Sequence, residues 1–203
     1  MLNIAAFVSG RGSNLKSVFD KVSKEKINLC AVISDNKECL AVNFASQNNI
    51  PVFFVSVKEK DGFIGYPELI GILKGYSVEL ILLAGFLKKI SDEFVDAFEG
   101  KIINIHPALL PAFGGKGMYG KNVHEAVYNS SAKVSGASIH FVDKVYDNGK
   151  IIAQRSVDIS DVKNPEEIAS RVLEIEHELF PFVVDKFADN KIVIKNNRVI
   201  ILD

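Results

Sequence analysis

The stretch IAAFVSGRGSNLKSVFDKV, residues 4–22, decides the fold of this chain. It opens with Ile4–Val8, an apolar run typical of a buried strand, and continues with a glycine-containing turn at Ser9–Ser13. A helix follows, because apolar residues recur on one helical face at Leu15, Val18, Phe19 and Val22. A buried strand that enters a helix through a glycine turn is typical of the first unit of a parallel α/β sheet.

The same alternation continues through the first half of the chain. Further strands are predicted at residues 29–34, 51–55, 80–84 and 102–105, and helices at 40–48, around 68–74 and after the N-cap Ser91. Strands that are apolar throughout and separated by helices form a parallel sheet with both faces covered. We therefore predict an α/β fold, a single doubly wound Rossmann-like domain with a mostly parallel central sheet. Ligands of such sheets bind beyond the carboxyl ends of the strands.

The second half of the chain has a different character. Four glycines within residues 112–121 predict a mobile loop. The elements expected after it are a short helix near 123–128, a strand pair at 135–142 and 151–158, a long C-terminal helix from Asn164 to about Phe187 that Pro181 kinks or restarts, and a hairpin at 192–202. We expect one domain over residues 1–203, with an N-terminal half at about 1–100 and a C-terminal half at about 101–203.

The composition is that of an ordinary globular protein. Of the 203 residues 48% are hydrophobic and 24% charged, and the net charge of −1 is spread along the chain, so neither a nucleic-acid surface nor a membrane anchor is expected. No apolar run approaches the roughly 20 residues that span a bilayer, and the first residues lack the pattern of a signal peptide. The two cysteines, Cys30 and Cys39, have no CxxC spacing, and isolated thiols predict a cytoplasmic protein.

The turn after the first strand is a candidate phosphate site. In Gly10–Asn14 the backbone N–H groups and the start of a helix can hold a phosphate. The turn is an incomplete dinucleotide fingerprint, because Leu15 stands where a third glycine is expected. Asp35, at the end of the second strand, could contact a nucleotide ribose, which leaves a nicotinamide-dependent oxidoreductase open. A tight turn without a ligand is the other interpretation.

A second candidate site follows the fifth strand. Asn104 and His106 lie one pleat apart, about 7 Å along the backbone, and point to the same side. An amide and an imidazole can donate to an oxygen that gains negative charge, which acyl transfer requires. Asp147, in a predicted turn, could hold the histidine and raise its pKa. His140 is interpreted as a packed strand histidine, His124 and His177 as residues without such company, and no metal site is predicted.

These two sites, together with further motifs, resemble a known family. The motifs are, in chain order, Gly10-Arg11-Gly12-Ser13-Asn14, Ala84-Gly85-Phe86, the run Asn104–Pro111, Ser138-x-His140-Phe141-Val142, Tyr146-Asp147-x-Gly149 and Glu176-His177. In this order, and over essentially the whole chain, they resemble the phosphoribosylglycinamide formyltransferases. The Asn-x-His-Pro-x-Leu-Leu-Pro run is shared by several formyl-folate enzymes, and the Gly-x-Gly-Ser-Asn loop singles out the glycinamide ribonucleotide branch.

The resemblance implies an activity and a set of site residues. It implies transfer of the formyl group of 10-formyltetrahydrofolate to the amine of N1-(5-phospho-D-ribosyl)glycinamide in purine biosynthesis, with small-molecule partners, no metal, no nucleic acid, no membrane, and a monomer or homodimer. Catalysis is assigned to Asn104, His106 and Asp147. The ribonucleotide is assigned to Gly12, Ser13, Asn14 and Glu176. The folate is assigned to Leu87, Lys88, Lys89, Ile90, Asn104, Val142, Asp143, Lys144, Val145 and Tyr146.

Two departures from the family pattern stand out. Leu87–Ile90 replaces a common Met-Arg-Ile-Leu, and Lys88 lacks the planar fork with which Arg grips a ligand through two hydrogen bonds. The segment after Pro111 is also longer than the usual proline-glycine stretch.

Other functions remain open from the sequence. A formyltetrahydrofolate hydrolase and an initiator-tRNA formyltransferase normally carry an additional domain, for which these residues leave no room. An oxidoreductase that uses Gly10, Gly12 and Asp35 is a further alternative, against which Leu15 argues. A non-catalytic phosphate-binding module would leave the Asn, His and Asp set unexplained.

Overall fold

The computed structural model describes residues 1–203, which divide into two compact units, Met1–Ile103 and Asn104–Asp203. The first unit contains β1 (Leu2–Val8), α1 (Ser13–Lys21), β2 (Ile27–Ser34), α2 (Leu40–Gln47), β3 (Val52–Phe54), α3 (Tyr66–Gly75), β4 (Leu80–Leu83) and α4 (Asp92–Ala97). The strand β5 (Ile102–His106) spans the boundary, and α5 (Lys121–Asn129), β6 (Val134–Phe141), β7 (Ile151–Asp158), α6 (Pro165–Ala188), β8 (Ile192–Lys195) and β9 (Arg198–Ile201) follow. The predicted α/β class is confirmed: a mostly parallel seven-stranded sheet has the order β3-β2-β1-β4-β5-β6-β7, and β8 and β9 form a separate pair.

The first unit is built around β1. This strand pairs in parallel with β2 on one side and β4 on the other. Its last residue, Val8, lies opposite Ser34 of β2, and Phe7 lies opposite Leu83 of β4. The carboxyl ends of the three strands therefore lie side by side. Beneath them the Phe7 ring packs edge-to-face on Phe86 and Phe94, with ring centroids 5.2 Å and 5.3 Å apart.

The second unit has an antiparallel strand pair packed against a long helix. β6 and β7 pair in antiparallel register, with Ser138 opposite Gln154. α6 packs on both strands and runs unbroken through Pro181, which is buried within it, so the helix does not restart there. The terminal hairpin turns at Asn196 and Asn197, both with positive φ, as a two-residue β-turn of this kind requires.

The predicted helix starts have the expected caps. Ser91 Oγ accepts the N–H of Phe94 at 3.2 Å, and Asn164 Oδ1 accepts the N–H of Glu167 at 2.9 Å. Both bonds satisfy a backbone donor that has no partner within its helix. Both cysteines are free and buried. None of the six helices combines the length and the apolar character that crossing a bilayer requires.

Candidate active site

The glycine turn of the first unit is a tight segment at the start of α1. Gly12 has a φ of +71°, caps the helix, and accepts the N–H of Lys16 at 2.8 Å. Ser13 is half-buried, and Asn14 is buried. Leu15 is fully buried in the core, which gives a physical reason for an apolar residue where a dinucleotide fingerprint has its third glycine. The sequence thus predicted the loop correctly, while its ligand stays a prediction.

Ser9 connects this turn to the segment after β4. Its N–H donates to Gly85 O at 3.1 Å, and its hydroxyl accepts the N–H of Leu87 at 2.9 Å. The two carboxyl-end loops of the first unit are therefore held together by one side chain and its backbone.

The residues assigned to folate after Phe86 differ in exposure. Leu87, Lys88 and Lys89 are exposed, whereas Ile90 is part of the core. Lys89 forms an ion pair with Asp92 at 2.8 Å. At position 90 only the backbone remains available to a ligand, because the side chain is buried.

In the second unit a carboxylate whose side chain is only 12% exposed lies between two imidazoles. Asp147 Oδ1 is 3.7 Å from Nδ1 of His106 and 3.6 Å from Nε2 of His140. The other carboxylate oxygen accepts the N–H of Gly115 at 2.8 Å. The side chains of the two histidines are 4% and 2% exposed, so a charge within this cluster is poorly screened by water. The three ionisable residues come from separate chain segments: a strand end, a strand interior and a turn.

Asn104 belongs to the same cluster through His140. Nδ1 of His140 lies 2.7 Å from the carbonyl of Phe141, which can only accept, so this nitrogen carries the hydrogen. In the neutral ring Nε2 is then an acceptor, and it receives an N–H of the Asn104 amide at 3.1 Å. The amide nitrogen carries a second hydrogen that can serve another acceptor. The interpretation of His140 as a merely packed histidine was therefore incomplete, and its role was missed because the strand pattern does not reveal its neighbours.

The electrostatics of the pair differ from the expectation. Burial lowers the pKa of His106, and this outweighs the opposing effects of Asp147 and of the Phe113 carbonyl, so the net direction is downward. For Asp147 burial acts to raise the pKa, but His140, His106 and the N–H of Gly115 together bring it below its ordinary value. Asp147 thus raises the pKa of the histidine, as predicted, yet desolvation is larger. The free protein at neutral pH holds an ionised Asp147 beside a neutral His106.

The glycine-rich segment after Pro111 contacts both members of that pair. Nε2 of His106 donates to the carbonyl of Phe113 at 2.9 Å, and Gly115 donates to Asp147. Gly114 lies between these two contacts, and a Cβ built on it would come within 3.2 Å of Asp147 Cβ. The predicted loop thus holds the site residues in place, while its mobility stays a prediction.

Known proteins resemble this chain in sequence. Residues 2–184 match the family model described as formyl transferase. The chain belongs to the formyl transferase family. It is 44% identical over 193 residues to the chloroplastic phosphoribosylglycinamide formyltransferase of Arabidopsis thaliana, covering 93% of this chain and 66% of the plant protein. It is 34% identical to the phosphoribosylglycinamide formyltransferase of Bacillus subtilis, covering 91% of this chain and 93% of the bacterial one.

Solved structures give the same result. The chain superposes on the phosphoribosylglycinamide formyltransferase of Anaplasma phagocytophilum with a TM-score of 0.89 and 34% identity, covering all of this chain and 94% of the other. A formyltetrahydrofolate deformylase of Pseudomonas syringae shares the fold at 19% identity and a TM-score of 0.85, covering all of this chain and 66% of the other. The chain spans just under two thirds of the length of the plant relatives from Arabidopsis thaliana and Vigna unguiculata.

Ser138 and Gln154 hold the Leu-Leu-Pro segment that follows His106. The Ser138 hydroxyl donates to Ala108 O at 2.6 Å and accepts the N–H of Leu110 at 3.0 Å. Gln154 donates to the same hydroxyl at 2.8 Å and to Leu110 O at 2.9 Å. Sequence reasoning missed this support, although the alternation of polar residues across two paired strands was a signal for it.

The second segment assigned to folate is a short, largely exposed loop. Val142 and Phe141 before it are half-buried, and Asp143, Lys144, Val145 and Tyr146 are exposed. The Asp143 carboxylate accepts the N–H of Val145 at 2.7 Å and the side-chain amide of Asn148 at 3.3 Å. It therefore shapes the loop that delivers Asp147, which itself has a φ of +52°.

Glu176 and the remaining polar residues singled out from the sequence lie in different parts of the fold. Glu176 is on α6 and is buried, with only 7% of its surface exposed. His124 is buried on α5, and its pKa is lowered first by burial and second by His106. It therefore lies near the cluster, contrary to the expectation that it has no such neighbours. Asp35 is half-buried at the end of β2. No group of His, Cys, Asp and Glu side chains in the molecule is arranged to hold a metal ion.

Proposed function

We propose that this chain transfers the formyl group of 10-formyltetrahydrofolate to the amine of N1-(5-phospho-D-ribosyl)glycinamide, releasing tetrahydrofolate and the formylated amide, in the de novo synthesis of IMP. The observation that carries the proposal is the buried cluster in which an ionised Asp147 lies between His106 and His140. The names of the relatives at 34% to 44% identity support the choice of substrate.

In the proposed reaction the substrate amine attacks the formyl carbon. The carbonyl oxygen gains negative charge, and the second N–H of the Asn104 amide donates to it. The attacking nitrogen must lose a proton, and the folate nitrogen must gain one as its bond to the formyl carbon breaks. A neutral His106 can accept the first proton at Nδ1, where the carboxylate of Asp147 stabilises the resulting imidazolium.

The phosphate of the ribonucleotide is assigned to the loop at the start of α1. Gly12, Ser13 and Asn14 offer backbone N–H groups at the positive end of the helix, which suits a dianion. Glu176 would contact the ribose or amine region. A buried acid on a helix can accept two hydrogen bonds from hydroxyl or amine groups.

The folate is assigned to two loops, 87–90 and 142–146, together with Asn104. Lys88 offers a point charge to the acidic end of a folate but no paired hydrogen bonds. We further propose that residues 1–203 act as one formyltransferase domain, as a monomer or homodimer, in the cytoplasm, where the two free thiols would remain reduced.

A product assay tests the proposal. Purified protein is mixed with 10-formyltetrahydrofolate, with and without the ribonucleotide, and the folate is followed by absorbance. Loss of formyl-folate that requires the ribonucleotide is the expected result. Equal loss without the ribonucleotide would mean a hydrolase, and no loss in either mixture would contradict a formyl-folate enzyme altogether. A His106→Ala variant that folds but loses turnover serves as the control for contaminating activity.

A further inference from the structure

The first turn of α2 packs directly on the glycine loop. Ala41 is fully buried, and its N–H donates to the carbonyl of Gly10 at 3.3 Å. A Cβ built on Gly12 would lie 2.6 Å from Cβ of Ala41 and 3.2 Å from its Cα. The backbone of the loop therefore rests against the methyl group and the helix backbone of this one residue.

Gly12 has no freedom to move away from that contact without changing the loop. Its φ of +71° is a conformation that other residues rarely adopt, and its carbonyl already accepts the N–H of Lys16. The loop thus has α1 on one side and Ala41 on the other. A larger side chain at position 41 must displace either the loop or α2, because close-packed interiors do not absorb added atoms.

We propose that Ala41 is a positioning residue for phosphate binding, because its methyl group and amide fix the Gly10–Gly12 backbone in the shape that presents its N–H groups to a phosphate monoester. Ala41 itself touches no substrate. The inference rests on the proposed function only in assigning the phosphate to this loop. No residue pattern in the sequence alone marks Ala41, since it is one of several small residues in its helix.

Ala45 provides a matched control. It is fully buried on the same helix, one turn further along, and its carbonyl accepts the N–H of Ile50 at 2.9 Å. Ala41→Val and Ala45→Val add the same two methyl groups to the same buried face, but only the first adds them beside the glycine loop. Ala41→Gly removes the methyl group and adds no bulk.

The test separates the KM values of the two substrates. We expect Ala41→Val to raise the KM for the ribonucleotide at least about tenfold, with the KM for 10-formyltetrahydrofolate and the kcat at saturation within about twofold of the parent. Ala45→Val should change neither KM, and Ala41→Gly, which removes the supporting methyl group, should raise only the KM for the ribonucleotide, by about two- to fivefold. Equal kinetics for the two valine variants, or a parallel rise in both KM values, would overturn the proposal. If Ala41→Val does not fold, Ala41→Ser should show the same split to a smaller extent.

Direct binding keeps this proposal distinct from the proposed function. Calorimetric titration with ribose 5-phosphate requires no formyl transfer and measures only the affinity for the phosphate-bearing ligand. Weaker binding to Ala41→Val than to Ala45→Val would support the positioning role even if the product assay failed. Identical binding to both variants would refute it even if the product assay succeeded.

Discussion

Replacing Asp147 by Asn removes one negative charge and little else. Asn tolerates the positive φ at this position, and its side-chain oxygen can still accept the N–H of Gly115. We expect the variant to fold normally and to lose most of its turnover. The physical reason is that the proton accepted by His106 would no longer face a carboxylate.

The size of the loss follows from the geometry. Two unit charges at the 3.7 Å that separates Asp147 Oδ1 from Nδ1 of His106 attract by about 4.5 kcal/mol at an effective dielectric constant of about 20. Because His106 is neutral in the free enzyme, this attraction develops only as the proton arrives. At about 1.4 kcal/mol per factor of ten, and with part of the charge replaced by the Asn dipole, kcat should fall roughly 10² to 10³-fold.

The assay is single-turnover formyl transfer with both substrates saturating, compared with Asp161→Asn, which removes an exposed carboxylate that pairs with Arg171. NMR titration of the His106 ring should show its pKa lower in the Asp147→Asn variant than in the parent. Turnover of Asp147→Asn within about tenfold of the parent, in a protein of unchanged circular dichroism, would refute the reasoning. So would an unchanged pKa of His106.

Three further results are expected. Ser9→Ala removes the acceptor of the Leu87 N–H and should raise the KM for 10-formyltetrahydrofolate several-fold in steady-state kinetics; an unchanged KM would mean that this bond does not shape the folate loop. Gly149→Ala places a Cβ against the backbone carbonyl of Phe141 in β6, so the melting temperature should drop by several degrees or the protein should not fold. A melting temperature equal to that of the parent would contradict the close approach of this turn to the strand. Burial lowers the pKa of His106 below 6.5, so the unfolded chain binds the proton more readily than the folded one. The free energy of unfolding, measured with urea, should therefore decrease as the pH falls from 6.5 towards about 5, and it should decrease less steeply in a His106→Asn variant. Equal slopes for the two proteins would exclude His106 as the source of the pH dependence.

Much of the fold was readable because it depends on local patterns. The apolar run at residues 4–8, the glycine turn and the amphipathic helix each favour one structure over a few residues, so β1 and α1 formed as predicted. Caps are equally local, and the bonds at Ser91 and Asn164 follow from residue type and position. The helix does not restart at Pro181, because α6 continues through it and packs against the strands, while a kink there stays a prediction.

In the candidate site, too, the features that depend on local patterns were predictable and those that depend on tertiary contacts were not. Strand alternation predicted that Asn104 and His106 share a side, and turn chemistry picked out Asp147. That His140 would approach the same carboxylate depends on the pairing of segments distant in sequence, which no local pattern contains. The downward shift of the His106 pKa could not be predicted from the sequence either, because it results from a competition between a charge 3.7 Å away and the removal of water.

The sequence by itself determined the α/β class, the glycine loop, the order of the motifs and the resemblance to the formyl-folate enzymes, since each depends on residue types at short spacing. Only the tertiary structure decided which groups surround Asp147, which hydrogen bonds hold the Leu-Leu-Pro segment, and that Ala41 supports the glycine loop. The physical reason is that burial and charge interactions depend on distance in space. Folding brings together residues that are far apart along the chain, and their spacing in the sequence does not reveal these contacts.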